Sequence, residues 1–140
     1  MGYAMPRETL QPSTLFSSKP WGFSQVVISE PGRIVNVAGQ VAWDADGNQN
    51  AQGLEGQFRQ TLKQVFIAVE AAGGTQEDIQ ILRFYIPHFK TGEDADLIAK
   101  ILVEIFGDIN PPASSWIGVK ALAQPDFLIE VEAMAVIPAK

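Results

Sequence analysis

Cysteine is absent from this 140-residue sequence, and histidine occurs once, at His88. Without cysteine there can be no disulfide, no thiolate nucleophile and no zinc site built on cysteine. A single histidine provides no histidine pair, so no metal site is predicted. A serine–histidine–aspartate triad would have to use His88, but no GxSxG motif accompanies this residue, which follows Pro87 at a predicted strand end. The sequence therefore predicts neither a metal centre nor a triad.

Positive charge is also scarce, because sixteen acidic residues outnumber ten basic ones and give a net charge of −6. Such a domain lacks the basic surface that binds phosphate backbones, so nucleic acid is not an expected partner. The sequence contains no apolar run of about eighteen residues, so no transmembrane helix and no membrane partner are expected. Residues 1–19 contain no apolar signal-peptide core, which predicts a cytoplasmic location.

Hydrophobic residues make up 46% of the chain, enough for the packed core of one domain. Residues 1–20 contain three prolines and no clear period, so they are interpreted as an irregular N-terminal arm before a single domain over residues 21–140. Periodicity in that domain predicts the order β-β-α-β-α-β-β. Strands at 24–29 and 34–38 are predicted to form a hairpin around Pro31-Gly32. Helices are predicted over 54–72 and 94–106, with later strands at 79–86, 114–122 and 127–137.

The last predicted strand carries Glu130 and Glu132 within an apolar run. Because alternate residues of a strand share a face, both acids project from one face while Ile129 and Val131 point into the core. Two helices can cover only one face of the sheet, so the acidic face is left open and a second copy of the chain is predicted to cover it. Ser114, Trp116, Gly118 and Lys120 of the preceding strand are predicted to share this open face.

Several segments together resemble the Rid family (reactive intermediate deaminase, YjgF). They are Val35-Asn36-Val37-Ala38-Gly39-Gln40, the helix end Glu70-Ala71-Ala72-Gly73-Gly74, Pro112-Ala113-x-Ser115 and Ile129-Glu130-Val131-Glu132-Ala133. The resemblance extends over about residues 15–138. It implies a chorismate-mutase-like α/β (α+β) sandwich with two helices on one face of a mixed sheet. It also implies a homotrimer that binds a small-molecule ligand in clefts between subunits.

Members with the full pattern hydrolyse enamines and imines, such as 2-aminoacrylate, to 2-keto acids and ammonia without a cofactor. In these members an arginine follows Pro-Ala and forms a bidentate pair with the substrate carboxylate. This chain has Ser114 at that position, so the carboxylate clamp is missing. The resemblance also places Phe23 where a tyrosine is usual and Trp116 where a cysteine is frequent. A compensating cation could come from Arg83 or Lys120.

Glu130 matches the family residue that holds the attacking water, so the resemblance implies Glu130 as the catalytic acid/base. It implies four substrate-binding residues, which are Ser114, Trp116, Phe23 and Gly39. Four of these residues have a structural alternative. Glu130 could be an inter-subunit carboxylate paired with Lys120 or backbone amides, Trp116 an interface residue, Gly39 a strand terminus and Phe23 a core residue.

Two functions from different classes remain open at this point. The first is a divergent Rid protein that acts as a cofactor-independent hydrolase or deaminase on an imine, an enamine or a related small metabolite, but not as a standard 2-aminoacrylate deaminase. The alternative is a non-catalytic trimeric protein that binds a small molecule or has a regulatory role. A ribonuclease or translation-inhibitor role, known for some members, is disfavoured by the charge of −6 and the missing arginine.

Overall fold

The computed structural model describes residues 7–139. The strands are β1 (Glu8–Leu10), β2 (Val26–Ile28), β3 (Gly32–Gln40), β4 (Ile79–Pro87), β5 (Ala113–Val119) and β6 (Glu130–Pro138). The helices are α1 (Gly53–Ala71) and α2 (Glu93–Phe106), and 3-10 turns cover Lys19–Trp21 and Gln76–Asp78. The predicted order of elements is confirmed from β2 onward. Neither helix is both long and apolar enough to cross a membrane, within the part of the chain described.

The main sheet has four strands in the order β3-β6-β4-β5. β6 runs antiparallel to both β3 and β4, while β5 runs parallel to β4, so the sheet is mixed as predicted. The core lies between this sheet and the two helices, where Phe58 of α1 meets Phe84 of β4 with 4.9 Å between ring centroids. The predicted fold class, two helices packed on one face of a mixed sheet, is confirmed.

Helix α1 follows the apolar stripe predicted for it. Phe58, Leu62, Val65 and Val69 recur at helical spacing and are all fully buried. The helix ends at the predicted Gly73-Gly74 pair, since Gly73 adopts a left-handed φ of 96°. Its backbone amide bonds to the Glu70 carbonyl at 2.9 Å, and that of Gly74 to the Val69 carbonyl at 3.0 Å. These two bonds form a Schellman motif, which only glycine closes without strain.

The predicted hairpin around Pro31-Gly32 is wrong. β2 pairs with β1 in a separate two-stranded ribbon, and β3 pairs with β6 in the main sheet. β6 offers β3 a longer partner than β2 does, and buried alanines of β6 face Val35 and Val37. This packing of side chains outweighs the local turn signal. The prediction that residues 1–20 are irregular is also wrong at β1, whereas the domain boundary at residue 20 stays a prediction.

Arg7 fixes the N-terminal arm to the body of the domain. Its guanidinium donates to the carbonyl of Asn110 at 2.7 Å and to the carbonyls of Gln76 and Ile79. It also lies 5.5 Å from the ring centroid of Phe106, which allows a cation–π interaction. Burial lowers the pKa of Arg7 to about 10, so the side chain remains a cation at neutral pH. The arm is therefore packed onto the domain from Arg7 onward.

Candidate functional site

Glu130 and Gly39, two of the predicted site residues, lie against each other. Glu130 is the first residue of β6, and the β3–β6 register shifts between Val37 and Gln40, which brings the Gly39 backbone beneath the carboxylate. A Cβ built on Gly39 would lie 2.7 Å from the Glu130 Cδ. Glycine at this position leaves room for the Glu130 side chain, which a Cβ would displace.

The Glu130 carboxylate is half-buried on the open face of the sheet. Within residues 7–139 no hydrogen-bond donor and no cation pairs with it. The structural alternative, an inter-subunit pairing of Glu130 with Lys120 or backbone amides, concerns a second chain and stays a prediction. An ionised carboxylate with open acceptor sites can bind and orient a water molecule.

Glu132 projects from the same face as Glu130 but lies in a different environment. Its carboxylate accepts a hydrogen bond from the Tyr85 hydroxyl, and Arg83 Nη1 lies 4.0 Å from its Oε1. This hydrogen bond is the main reason that the pKa of Tyr85 is raised, because loss of the phenolic proton would place two anions side by side. Glu132 is thus engaged within the chain, whereas Glu130 is available.

The predicted face of β5 is wrong. The register pairs Ser114 with Leu82 and Trp116 with Phe84, and both partners are buried residues of the core face. Ser114, Trp116 and Gly118 therefore face the helix side of the sheet, while Ser115 and Ile117 share the open face with Arg83 and Tyr85. Lys120 lies beyond the end of the strand. The prediction took apolar Ile117 and Val119 as the buried set, and this one-residue error in phase reverses every side chain of the strand.

Trp116 and three other aromatic residues form a cluster on the helix side. Trp116 meets Phe23 at 5.8 Å and Trp21 at 6.1 Å between ring centroids, and Phe16 meets Phe23 at 6.1 Å, all edge to face. The indole Nε1 of Trp116 donates to Ser114 Oγ at 2.9 Å. Phe16, Trp21, Phe23 and Trp116 are called the aromatic cluster below. The structure thus brings the predicted residues Phe23, Ser114 and Trp116 together.

Sequence reasoning missed Trp21 and Phe16 as members of this cluster. Their signal is the segment Trp21-Gly22-Phe23, where a glycine separates two aromatics next to a proline-containing turn. Gly22 has a φ of 80°, and a Cβ there would lie 2.6 Å from the Leu102 Cβ on α2. Contact between the backbone of Gly22 and α2 therefore fixes both flanking rings.

Ser24 joins the aromatic cluster to the beginning of β5. Its backbone amide donates to the Pro112 carbonyl at 3.1 Å, and its hydroxyl donates to the Pro111 carbonyl at 2.5 Å. Phe23 is thereby held beside the strand that carries Ser114 and Trp116. These bonds are buried, so they fix the spacing between the two segments.

The predicted site residues thus form two groups on opposite faces of the sheet. Glu130 and Gly39 are on the open face, and Phe23, Ser114 and Trp116 are on the helix side at β5, the edge strand. Within one chain the acid does not face the aromatic cluster. Arg83 projects to the face opposite Ser114, and Lys120 follows Ser114 by six residues, about 20 Å along an extended chain. Neither side chain takes the place of the missing arginine within one chain.

The architecture is that of a small α+β protein with one sheet face left open. Residues 17–137 match the family described as Endoribonuclease L-PSP. The chain is 36% identical to the crystal structure of YyfB from Yersinia pestis, described as a protein of unknown function of the conserved Rid family. The match covers 95% of this chain and 100% of that one with a TM-score of 0.88. The chain belongs to this Rid (YjgF) family, as its sequence segments predicted.

A more distant structure has the same fold. Rv2704 from Mycobacterium tuberculosis, described as a member of the YjgF/YER057c/UK114 family, is 27% identical. The match covers 94% of this chain and 99% of Rv2704, with a TM-score of 0.62.

Proposed function

We propose that this chain is a cofactor-independent hydrolase of the Rid family that acts on an imine or enamine in a cleft between the subunits of a homotrimer. The observation that carries the proposal is the separation of the two groups of site residues. The available carboxylate of Glu130 lies on one face of the sheet, and the aromatic cluster with Ser114 lies on the other. A second copy of the chain supplies the missing half of each site.

The composition of the open face supports this assembly. Ile34 on β3 is 65% exposed, and Ile117 on β5 is 38% exposed. Met134 and Val136 of β6 share this face and are half-buried. An apolar sheet face around two carboxylates is typical of a surface covered by another protein chain.

The proposed reaction uses Glu130 as a general base and then as a general acid. The carboxylate takes a proton from a water molecule, whose oxygen bonds to the carbon of the C=N group, and Glu130 gives that proton to the nitrogen. In the tetrahedral adduct Glu130 then takes the hydroxyl proton and passes it to the nitrogen, so that the C–N bond breaks, the C=O bond forms and ammonia leaves. One imine and one water yield one carbonyl compound and one ammonia, so no redox partner is needed. General acid–base catalysis of this kind contributes roughly 10²–10⁴-fold to a rate.

The second candidate function is a non-catalytic trimeric protein that binds a small molecule. The observation in its favour is Ser114, which occupies the position of the carboxylate-binding arginine and has no cation beside it within residues 7–139. Saturable binding without chemical change would distinguish this protein from the hydrolase. Turnover of any member of a broad panel of imines and enamines would exclude it.

Mixed trimers test whether each site is shared between subunits. With substrate well below KM, Glu130→Gln homotrimers are expected to be inactive and Trp116→Ala homotrimers to keep about a tenth of wild-type turnover. In mixed trimers formed at equal amounts, an intact Glu130 meets an intact Trp116 at about a quarter of the sites, so about a quarter of wild-type turnover should return. Trimers that mix Glu130→Gln with Glu130→Ala serve as the control and should stay inactive. No recovery in the first mixture would contradict a shared site.

Gly39→Ala is expected to displace the Glu130 carboxylate, because the new methyl group would overlap the end of that side chain. Because a displacement of about 1 Å can lower a rate by about 100-fold, turnover should fall strongly while the melting temperature changes little. Gly118→Ala is the matched control, since a Cβ there meets Phe89 at an ordinary 3.5 Å. Equal effects of the two substitutions would contradict the special role of Gly39.

A further inference from the structure

We propose that the ligand of this site is a planar aromatic molecule without a negative charge, whose ring packs against the aromatic cluster. This inference names the substrate class for the inter-subunit site and rests on the proposed function. The corresponding substrate is an aryl aldimine and not an imino acid. Its hydrolysis converts R–CH=NH and water to R–CHO and ammonia, with the carbon–nitrogen double bond directed at Glu130 of another subunit.

The exposure of the cluster shows that it is more than a part of the core. Trp21 is 38% exposed and Phe16 64% exposed, while Trp116 and Phe23 are half-buried. The rings touch edge to face at interplanar angles of 68–73°. In this arrangement the rings are held by each other and by α2 while part of their surface stays in contact with solvent. Covering this exposed aromatic surface with a flat apolar group removes it from water, which favours binding.

The polar groups of the cluster are neutral. Ser114 Oγ accepts from the Trp116 indole, so the hydroxyl proton and one lone pair of Ser114 remain for a ligand. No charged side chain bonds to Ser114 or Trp116 within residues 7–139, and the basic residue of the adjoining turn, Lys19, is exposed. A carboxylate placed here would lose its hydration without gaining a charged donor. One hydroxyl donor suits an amide, an imine nitrogen or a carbonyl oxygen.

Isosteric ligands that differ in charge test this inference. Phenylacetamide and phenylacetate have nearly the same shape, and isothermal titration calorimetry on the assembled protein measures both dissociation constants. The neutral amide is expected to bind at least about tenfold more tightly than the anion, because the unpaired carboxylate must be desolvated. Acetamide, which lacks the ring, is expected to show no saturable binding.

Substitutions then locate the binding. Trp116→Ala and, at the more exposed position, Trp21→Ala should each weaken phenylacetamide binding by about tenfold. Trp43→Ala removes a tryptophan of similar exposure that packs on Phe127 outside the cluster. This variant should leave the affinity for phenylacetamide unchanged. Ser114→Arg should reverse the preference and favour phenylacetate. Circular dichroism confirms that each variant is folded.

The inference is overturned if phenylacetate binds as tightly as phenylacetamide, if neither binds saturably, or if Trp21→Ala and Trp116→Ala both leave the affinity unchanged. Its failure is distinguishable from failure of the proposed hydrolase. Turnover of aliphatic imino acids with no aromatic preference would leave the hydrolase standing and remove this substrate class. Cluster-dependent binding of the neutral ring with no turnover would remove the hydrolase and leave the aromatic ligand class standing.

Discussion

Glu130→Gln is expected to lower the rate of imine hydrolysis at least about 100-fold while leaving ligand affinity within a few-fold of wild type. Glutamine has the same shape as glutamate and can still lie over Gly39, but its amide cannot take a proton from water. Steady-state kinetics with the imine generated in the assay separates kcat from KM, and the loss should fall on kcat. The substitution leaves the open face less charged, so assembly of the proposed trimer should be unaffected.

Glu132→Gln is the matched control for this experiment. Glu132 lies two residues from Glu130 on the same face, but its carboxylate is engaged with the Tyr85 hydroxyl and lies close to Arg83. Its replacement should retain more than half of the activity. If Glu132→Gln abolishes turnover and Glu130→Gln does not, the assignment of the acid/base is wrong. If both lack any effect, the reaction does not use this face.

The alternation of β6 was predictable from sequence because every second residue is apolar over the whole strand. Val131, Ala133, Ala135 and Ile137 are all buried, and the residues between them are not. The helical stripe of α1 is equally regular, and the Gly73-Gly74 stop is a local property of the chain. In these elements the local pattern and the tertiary environment favour the same structure.

β5 and the pairing of β2 and β3 were not predictable in this way. β5 is an edge strand with apolar residues at both phases, Trp116 on one face and Ile117 on the other, so alternation cannot assign its faces. The covering of its helix side comes partly from the turn Lys19–Trp21, which is about a hundred residues away in sequence. No local signal links these segments, and the same is true of the pairing between β3 and β6.

The candidate site was likewise only partly predictable from sequence. Glu130 and Gly39 were identified from motif residues, but their contact with each other is seen only in the structure. Phe23, Ser114 and Trp116 were also identified, but their position on the opposite face was not, because it depends on the phase of β5. The chain has the scaffold of its family, whereas Ser114, Trp116 and Phe23, which depart from the full family pattern in the resemblance, are only proposed to select the ligand. Family membership therefore defines the fold more closely than it defines the substrate.

Gly22, just after the N-terminal arm, should tolerate substitution poorly. Its φ of 80° is left-handed, and a Cβ would lie 2.6 Å from the Leu102 Cβ and 2.9 Å from the Val103 backbone nitrogen. Gly22→Ala therefore combines a backbone penalty of about 1–2 kcal/mol with an overpacking cost of about 1–3 kcal/mol. We expect about 3 kcal/mol lower stability, corresponding to a melting temperature about 10 °C lower at a fixed protein concentration.

Gly47→Ala separates the two contributions, because Gly47 has nearly the same φ of 79° but nothing within 4 Å of its Cβ position. This control should cost only the backbone penalty of about 1–2 kcal/mol. The difference between the variants therefore measures how closely the Lys19–Trp21 turn packs on α2. Because Trp21 and Phe23 flank Gly22, the same substitution should also weaken phenylacetamide binding, whereas Gly47→Ala should not. Equal melting temperatures for the two variants would show that the Lys19–Trp21 turn moves away from α2 without lowering the stability. The aromatic cluster would then not be a rigid surface, and ligand selection could not depend on its rigidity.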